Sequence, residues 1–365
     1  MAKRLVICCD GTWNRPDQTS EGKPCPTNVT KLALAVAEQD SAGMTQLLNY
    51  HAGVGTRRQE RFRGGAFGFG LSREVRSAYR FIVDNYSPGD ELFFFGFSRG
   101  AFTARSTAGF VRNVGVLRRE NAGRLHEAYR LYRDRTTGPH DIESELFRRS
   151  YSYETPSFQT RIRFIGVWDT VGALGIPWSG VPLVNRINRR WSFHDTRLSS
   201  TVDGAFQALA IDEKRKPFEP AVWEQRPEVP GQRVEQVWFP GVHCDVGGGY
   251  PDAALADVAL GWVARRAQDY GLALKKDAFT AAGGWGAADT NLPVVRADPL
   301  GPMHESRTKF YRLLRPFVRP VGQTDAAREY AASTAVLRHE ELPSYAPPGL
   351  RAYLAGPHQT MDVGG

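Results

Sequence analysis

The sequence predicts an α/β protein with a doubly wound, mostly parallel sheet and helical insertions above the carboxyl ends of the strands. Two observations support this fold class. Apolar residues come in short uninterrupted runs, which is typical of strands buried on both faces. Segments with the helical spacing of apolar residues separate the first three runs. The chain has 365 residues, 41% hydrophobic and 24% charged, which is enough for a large globular core.

Five apolar runs are predicted strands and three segments are predicted helices. The first helix covers residues 29–39 and has Thr27 and Asn28 as capping candidates. The second covers 71–86, with Ser72 as its cap and Pro88-Gly89 as its end. A third helix, over 99–111, follows the third strand directly. The predicted strands are 5–9, 46–50, 91–95, 163–168 and 234–239.

The chain is expected to form one catalytic domain over residues 1–275, with insertions at about 118–160 and 175–233. The first insertion is charged and tyrosine-rich and is expected to be mostly helical. The second is rich in proline and tryptophan, with a helix expected over 201–211. Insertions above strand ends commonly shape a substrate site. Residues 276–365 are expected to form a C-terminal extension that packs on the core or is partly disordered.

The most informative motif follows the third strand. Gly96-Phe97-Ser98-Arg99-Gly100 fits the pattern Gly-x-Ser-x-Gly and lies between a predicted strand and a predicted helix. This is the context of a nucleophile elbow, a sharp turn that exposes a serine hydroxyl at the edge of the sheet. Glycine is needed at both ends because a side chain there would crowd the strand or the helix. Ser98 is therefore the candidate nucleophile.

Two other strand ends supply the groups that such a serine needs. A serine hydroxyl is weakly nucleophilic at neutral pH and requires a histidine base oriented by a carboxylate. Asp169 follows the fourth predicted strand, and His243 follows the fifth and precedes three consecutive glycines. The chain order Ser, Asp, His is that of α/β-hydrolases. The sequence therefore predicts an α/β-hydrolase-like fold with Ser98, Asp169 and His243 as a catalytic triad.

The turn after the first strand is the candidate oxyanion loop. Two convergent N–H groups must stabilise the tetrahedral intermediate. One is expected from Arg99, the residue after the nucleophile, and the other from Gly11 or Thr12. Asp10 and Asp245 are expected to support the site through hydrogen bonds that fix its loops. Two carboxylates could also hold a cation, but no ligand cluster has metal-site spacing, so neither a metal nor a cofactor is predicted.

Charge and cysteine usage limit the partners. The net charge is +8, and the excess is mostly scattered arginine. No basic run has interleaved aromatic residues, so no nucleic-acid partner is predicted. The basic surface is interpreted either as a solvated surface or as one with mild attraction to anionic membranes. The four cysteines are expected to be buried free thiols. The N-terminal apolar run is too short for a signal peptide, so a cytoplasmic location is expected, with leaderless export left open.

Five short segments share a pattern with a known family. They are residues 9–14, 53–56, 96–101, 167–172 and 243–250. Together they resemble the family of uncharacterised α/β-hydrolase domains that includes phospholipase effectors of type VI secretion systems, the Tle-type lipases. The resemblance covers roughly residues 3–270 and extends to the segment 210–220, although Gln207 stands where the family has a histidine. It implies a serine esterase whose triad motifs match Ser98, Asp169 and His243, with activity on phospholipid acyl esters.

The predicted function is a serine hydrolase that cleaves carboxylic esters through an acyl-enzyme, with phospholipids as the substrate class that the resemblance implies. Two alternatives stay open. One is a binding module that keeps the fold without chemistry, and the other is an amidase or peptidase that uses the same triad. A separation of Ser98 and His243 by more than one water bridge would favour the binding module.

Overall fold

Within the part of the chain that the computed structural model describes, eight parallel strands form one sheet. The described residues are 2–11, 14, 17–20, 22–53, 66–134, 136–155, 159–172, 198–224, 227–276, 278–279 and 295–364. From one edge to the other the strands are β10 (Thr360–Met361), β9 (Glu329–Ala332), β8 (Arg233–Phe239), β7 (Val202–Ala210), β6 (Ile162–Trp168), β5 (Glu91–Phe97), β1 (Arg4–Cys9) and β4 (Gln46–His51). This order confirms the doubly wound, hydrolase-like α/β class. A separate antiparallel pair consists of β2 (Thr19–Ser20) and β3 (Lys23–Pro24).

Both faces of the sheet are covered, which explains the uninterrupted apolar runs. On β5, Phe93, Phe95 and Phe97 pack into one buried cluster, whereas Leu92 and Phe94 pack into the other. All five side chains are buried. A strand that is buried on both faces has no solvent side on which to place polar residues. The five strands predicted from such runs therefore all occur, within a residue or two of their expected bounds.

Helices pack on both faces of the sheet. On one face α1 (Asn28–Ala35) lies beside α7 (Ala254–Asp269), and on the other α2 (Ala66–Asn85) lies beside α3 (Arg99–Val114). The Thr27 side chain caps α1 by accepting the Thr30 N–H at 3.2 Å, as predicted. The prediction of Ser72 as a cap is wrong, because α2 begins earlier, at Ala66. The Ser72 hydroxyl instead accepts a hydrogen bond from Tyr129 at 2.9 Å.

The two predicted insertions differ in structure. The described part of 118–160 is helical, with a 3-10 turn (Arg119–Arg124), α4 (Leu125–Arg133) and α5 (Ile142–Tyr151). The helix predicted over 201–211 is wrong, because these residues form β7 between β6 and β8. The alanines of this segment favour a helix, but the position at the centre of the sheet decides its conformation. Residues 173–197 lie outside the described part of the chain.

The C-terminal part of the chain joins the sheet. β9 pairs with β8, β10 pairs with β9, and α8 (Ser333–Glu341) packs against these strands; α9 (Pro348–Leu354) follows α8 along the chain. The Trp238 indole N–H donates to the buried carboxylate of Glu329 at 2.8 Å and so ties β8 to β9. A single-turn helix, α6 (His243–Gly247), follows β8. Over the described residues, no helix is both long and apolar enough to cross a bilayer.

Candidate active site

The candidate site lies where the strand order reverses. β4 lies on one side of β1, and β5 and all later strands of the sheet lie on its other side. Ligands of open α/β sheets bind at the carboxyl ends of the strands near such a reversal. Ser98 follows β5, Asp169 follows β6, and His243 begins α6 shortly after β8. The three predicted triad residues therefore lie at the same edge of the sheet.

Ser98 occupies a sharp turn between β5 and α3. Its φ of 58° lies in the left-handed region that residues other than glycine rarely adopt. A Cβ on Gly96 would come within 2.6 Å of Ala101 Cα, and a Cβ on Gly100 would overlap the Cys9 carbonyl oxygen. Both glycines are thus required by the close approach of neighbouring backbone. Strain of this kind persists where the surrounding structure fixes it, and it is common at active sites.

The three side chains meet in the order that proton transfer needs. Ser98 Oγ lies 2.8 Å from His243 Nε2, and His243 Nδ1 lies 2.5 Å from Asp169 Oδ2. All three residues are buried. With a proton on Nδ1, which the Asp169 carboxylate accepts as a hydrogen bond, Nε2 is left as the acceptor for the Ser98 hydroxyl. This geometry allows His243 to remove the proton of Ser98.

Arg319, which no motif singled out, contacts the carboxylate of this group. Its guanidinium pairs with both oxygens of Asp169, at 2.5 and 2.9 Å, and also donates to the carbonyls of Ala210 and Phe218. Arg319 is 1% exposed. Burial would raise the pKa of Asp169, but the Arg319 guanidinium and the His243 ring outweigh it and hold that pKa well below its usual range. Asp169 is therefore ionised at neutral pH.

The surroundings of His243 favour its neutral form. Burial lowers the pKa of His243, although the Asp169 carboxylate acts in the opposite direction. Its ring packs against Phe97 and Phe218, with centroids 4.6 and 5.0 Å away. Its backbone N–H donates to Glu213 Oε2 at 3.3 Å. A neutral, fixed imidazole is the form that can accept a proton.

Glu213 is a second buried carboxylate beside the histidine. Arg215 pairs with both of its oxygens at 2.8 Å, and the Ser306 hydroxyl donates to it at 2.9 Å. Burial raises the pKa of Glu213, but the Arg215 guanidinium outweighs this effect and the pKa is lowered. Glu213 thus fixes the backbone at the start of α6 and links it to the chain at Ser306.

The turn after β1 lies against the serine. A Cβ on Gly11 would be 3.4 Å from Ser98 Cβ, so this backbone borders the reacting hydroxyl. The Gly11 N–H donates to the Asp10 carboxylate at 2.6 Å, so in this geometry the Gly11 N–H does not point to an oxyanion at Ser98. Thr12 lies outside the described residues. Arg99, the other predicted donor, is the first residue of α3 and directly follows Ser98.

The two predicted supporting carboxylates hold the loops of the site. The hydroxyls of three residues donate to Asp10 Oδ2, and burial raises the Asp10 pKa. Asp245 accepts the Val242 N–H at 3.0 Å, and its other oxygen lies 2.6 Å from His304 Nδ1. The three donors to Asp10 are Tyr50, Thr27 and Thr30. Over the described residues, no group of three or more His, Cys, Asp or Glu side chains is arranged to hold a metal ion.

Two further residues near the site are accounted for by their surroundings. Desolvation raises the pKa of Cys244 to about 12, so this thiol stays protonated at neutral pH and is a poor nucleophile. Gln207 is buried, and its carbonyl oxygen accepts hydrogen bonds from Thr170 Oγ1 and Arg105 Nη1, both at 3.0 Å. Gln207 therefore links β7 through hydrogen bonds to α3 and to the residue that follows Asp169.

The fold and the meeting of Ser98, His243 and Asp169 at the strand ends define a class of protein, the α/β-hydrolase-like proteins. Within that class, residues 3–266 match the catalytic domain of Tle1-like phospholipase effectors of type VI secretion systems. The match covers most of the chain, and the chain belongs to this family.

Several individual proteins are similar over part of their length. The uncharacterized protein YEL023C of Saccharomyces cerevisiae is 27% identical over 250 residues, which is 62% of this chain and 34% of the yeast protein. A solved structure of an uncharacterized protein from Pseudomonas aeruginosa has a TM-score of 0.49 at 18% identity and covers 80% of this chain and 49% of that one. The Tle1 effector bound to the VgrG spike of the type VI secretion system has a TM-score of 0.39 at 22% identity, with 68% and 51% covered. The chain thus spans between a third and about half of the length of these relatives.

Proposed function

We propose that the protein is a serine lipase that hydrolyses acyl esters of phospholipids through an acyl-enzyme intermediate. The observation that carries this proposal is the direct contact of Ser98 Oγ with His243 Nε2 at 2.8 Å, with Asp169 on the other ring nitrogen. Membership in a family of phospholipase effectors supports the substrate class. The direct contact supports catalysis rather than the alternative of a binding module, which needs no such geometry.

The proposed reaction uses the side chains in their observed order. Ser98 Oγ attacks the acyl carbon while His243 Nε2 takes the hydroxyl proton, and Asp169 stabilises the imidazolium that forms. The Arg99 N–H and a second N–H from the turn after β1, at Thr12, are proposed to bind the oxyanion. The imidazolium then protonates the departing alcohol oxygen of the lysolipid. His243 then deprotonates a water that attacks the acyl carbon, and the imidazolium returns the proton to Ser98 Oγ as its bond to the acyl group breaks and the fatty acid leaves.

Removing the nucleophile tests this proposal. Ser98→Ala should lower turnover of phospholipids and short acyl esters by about 10⁴-fold or more, because the proposed acyl-enzyme forms on the Ser98 hydroxyl. A fluorophosphonate probe should label the parent chain and fail to label this variant. Ser106→Ala is the matched control, since Ser106 lies in α3, the helix that follows Ser98, and is also buried. Labelling that persists in Ser98→Ala and disappears in Ser106→Ala would overturn the assignment.

A further inference from the structure

A loop beyond the family-matched region is fixed at both ends to the residues around the triad. The loop comprises residues 307–318, and we call it the 307–318 loop. Just before it, the Ser306 hydroxyl donates to Glu213, the carboxylate that accepts the His243 N–H. Just after it, Arg319 pairs with Asp169. The loop therefore leaves and re-enters the protein at the candidate active site.

The loop also has a defined shape. The Arg307 guanidinium donates to the carbonyl of Leu314 at 2.6 Å, and the Phe317 N–H donates to the carbonyl of Lys214 at 2.8 Å. The Tyr311 ring lies 5.5 Å from the guanidinium of Arg215. These contacts hold the loop beside the candidate site.

The exposed side chains of the 307–318 loop combine apolar groups with positive charge. Leu313 is 83% exposed, Val318 is 51% exposed and Leu314 is 37% exposed. Arg312 and Arg315, between and beside them, are exposed as well. The sequence of the loop contains four basic residues and no acidic one. Clustered exposed apolar side chains mark interaction sites, and apolar tips among basic residues suit the interface of an anionic bilayer.

Another exposed apolar pair differs from the 307–318 loop in the charge around it and in its distance from the site. Ile142 and Leu146 on α5 are 61% and 55% exposed. The Arg148 side chain ties α5 to the carbonyl of Asn113 at the far end of α3, which with its 16 residues is about 24 Å long and begins directly after Ser98. This pair therefore lies far from the site. Acidic residues, which an anionic surface would repel, adjoin it: Asp141, Glu143 and Glu145.

We propose that the 307–318 loop is the surface with which the protein docks on membranes that contain anionic phospholipid. Leu313 and Val318 enter the interface between headgroups and acyl chains, and Arg312 and Arg315 contact headgroup phosphates. Docking in this orientation presents the bilayer to the mouth of the active site. The proposal rests on the proposed function, because it names how the phospholipid substrate is reached.

Binding is measured with the Ser98→Ala chain, so that no lipid is consumed. Co-sedimentation uses vesicles of phosphatidylcholine alone and vesicles of phosphatidylcholine and phosphatidylglycerol in equal parts. Leu313→Ser with Val318→Ser should weaken binding to the mixed vesicles by about tenfold or more, from the loss of buried apolar area. Each of Arg312→Gln and Arg315→Gln should weaken it about fivefold. The control, Ile142→Ser with Leu146→Ser, should bind as the parent does.

A second arm measures catalysis with Ser98 present. Hydrolysis of the mixed vesicles should fall in the Leu313→Ser, Val318→Ser variant by far more than turnover of a short water-soluble ester. The α5 control variant should leave both rates unchanged. If the parent chain turned over neither substrate, the proposed function would fail while the binding arm still tested docking.

Three outcomes would overturn the docking proposal. One is equal vesicle binding by the loop variants and the parent. Another is equal loss of binding in the α5 control, since the apolar surface would then act without regard to place or charge. The third is a change of oligomeric state in the loop variants with vesicle binding unchanged, which would make the loop a self-association surface.

Discussion

The charge of Asp169 is balanced on two sides. A buried carboxylate without partners would take up a proton, and a neutral Asp169 would not stabilise the imidazolium of His243. Arg319 keeps Asp169 ionised through two charge-assisted hydrogen bonds. The same guanidinium offsets part of the attraction between the carboxylate and the imidazole. The pKa of His243, which burial lowers, can therefore stay low although the neighbouring Asp169 is ionised.

The role of Arg319 is tested by removing its charge and by keeping it. Arg319→Met should lower ester turnover by about 10- to 100-fold, since the imidazole loses its fixed orientation. Its pH profile should also change: without the nearby positive charge, the coupled Asp169–His243 pair takes up a proton more readily, so the acid limb of kcat/KM moves to higher pH. Arg319→Lys keeps the charge and should retain more of the rate and the parent profile.

Stability must be measured in the same variants. Removal of one partner of a buried ion pair costs about 3–5 kcal/mol, so urea unfolding separates loss of fold from loss of rate. A folded Arg319→Met chain with the parent rate and the parent pH profile would contradict a positioning role.

Under the proposed mechanism, the parent chain should keep its ester turnover in mildly acidic solution. Because the pKa of His243 is lowered, the ring stays neutral until the pH falls below the usual histidine value, and the base remains competent there. The acid limb of kcat/KM for a soluble ester should therefore lie below about pH 6.5. An acid limb centred above neutrality would show that the Asp169 carboxylate raises the His243 pKa by more than burial lowers it.

At the scale of elements, the sequence predicted what local patterns determine. The run of β5, the glycine-flanked serine and the start of α3 are contiguous, so they could be recognised together. β7 could not, because its alanines are typical of helices and only its place between β6 and β8 makes it a strand. Arg319 lies in a proline-flanked segment without periodicity, and its contact with Asp169 spans 150 residues of sequence.

The elbow itself depends on close packing between two elements. A Cβ at Gly100 would overlap the carbonyl of Cys9 at the end of β1, so Gly100→Ala should destabilise the fold by about 3 kcal/mol or more. Gly123→Ala is the control, because a Cβ there meets nothing within 4 Å, and it should change stability by less than about 1 kcal/mol. Urea unfolding of both variants measures the difference. Equal midpoints would show that β1 can move away from the elbow.

At the scale of the whole molecule, the residues that hold the candidate site extend past the region that matches the family. That region ends at residue 266, yet Arg319 reaches Asp169 from outside it. β9 also continues the sheet beyond β8, and Glu329 accepts the Trp238 N–H together with the backbone N–H groups of Gly322 and Thr324. The C-terminal residues therefore complete both the sheet and the charge balance of the site.

A chain that ends after residue 275 should lose both its stable sheet and the charge balance of the candidate site. Without β9 the edge of β8 is exposed, and a long apolar edge favours aggregation. The buried Glu329 partner of Trp238 is also lost, and Asp169 loses its guanidinium. We expect little soluble protein and no fluorophosphonate labelling of Ser98. Full-length Arg319→Met separates the two effects, since it keeps β9 and loses only the charge. If the shortened chain were soluble and labelled at the parent rate, the residues beyond 275 would be dispensable for catalysis, and the sheet through β8 would suffice to hold the triad.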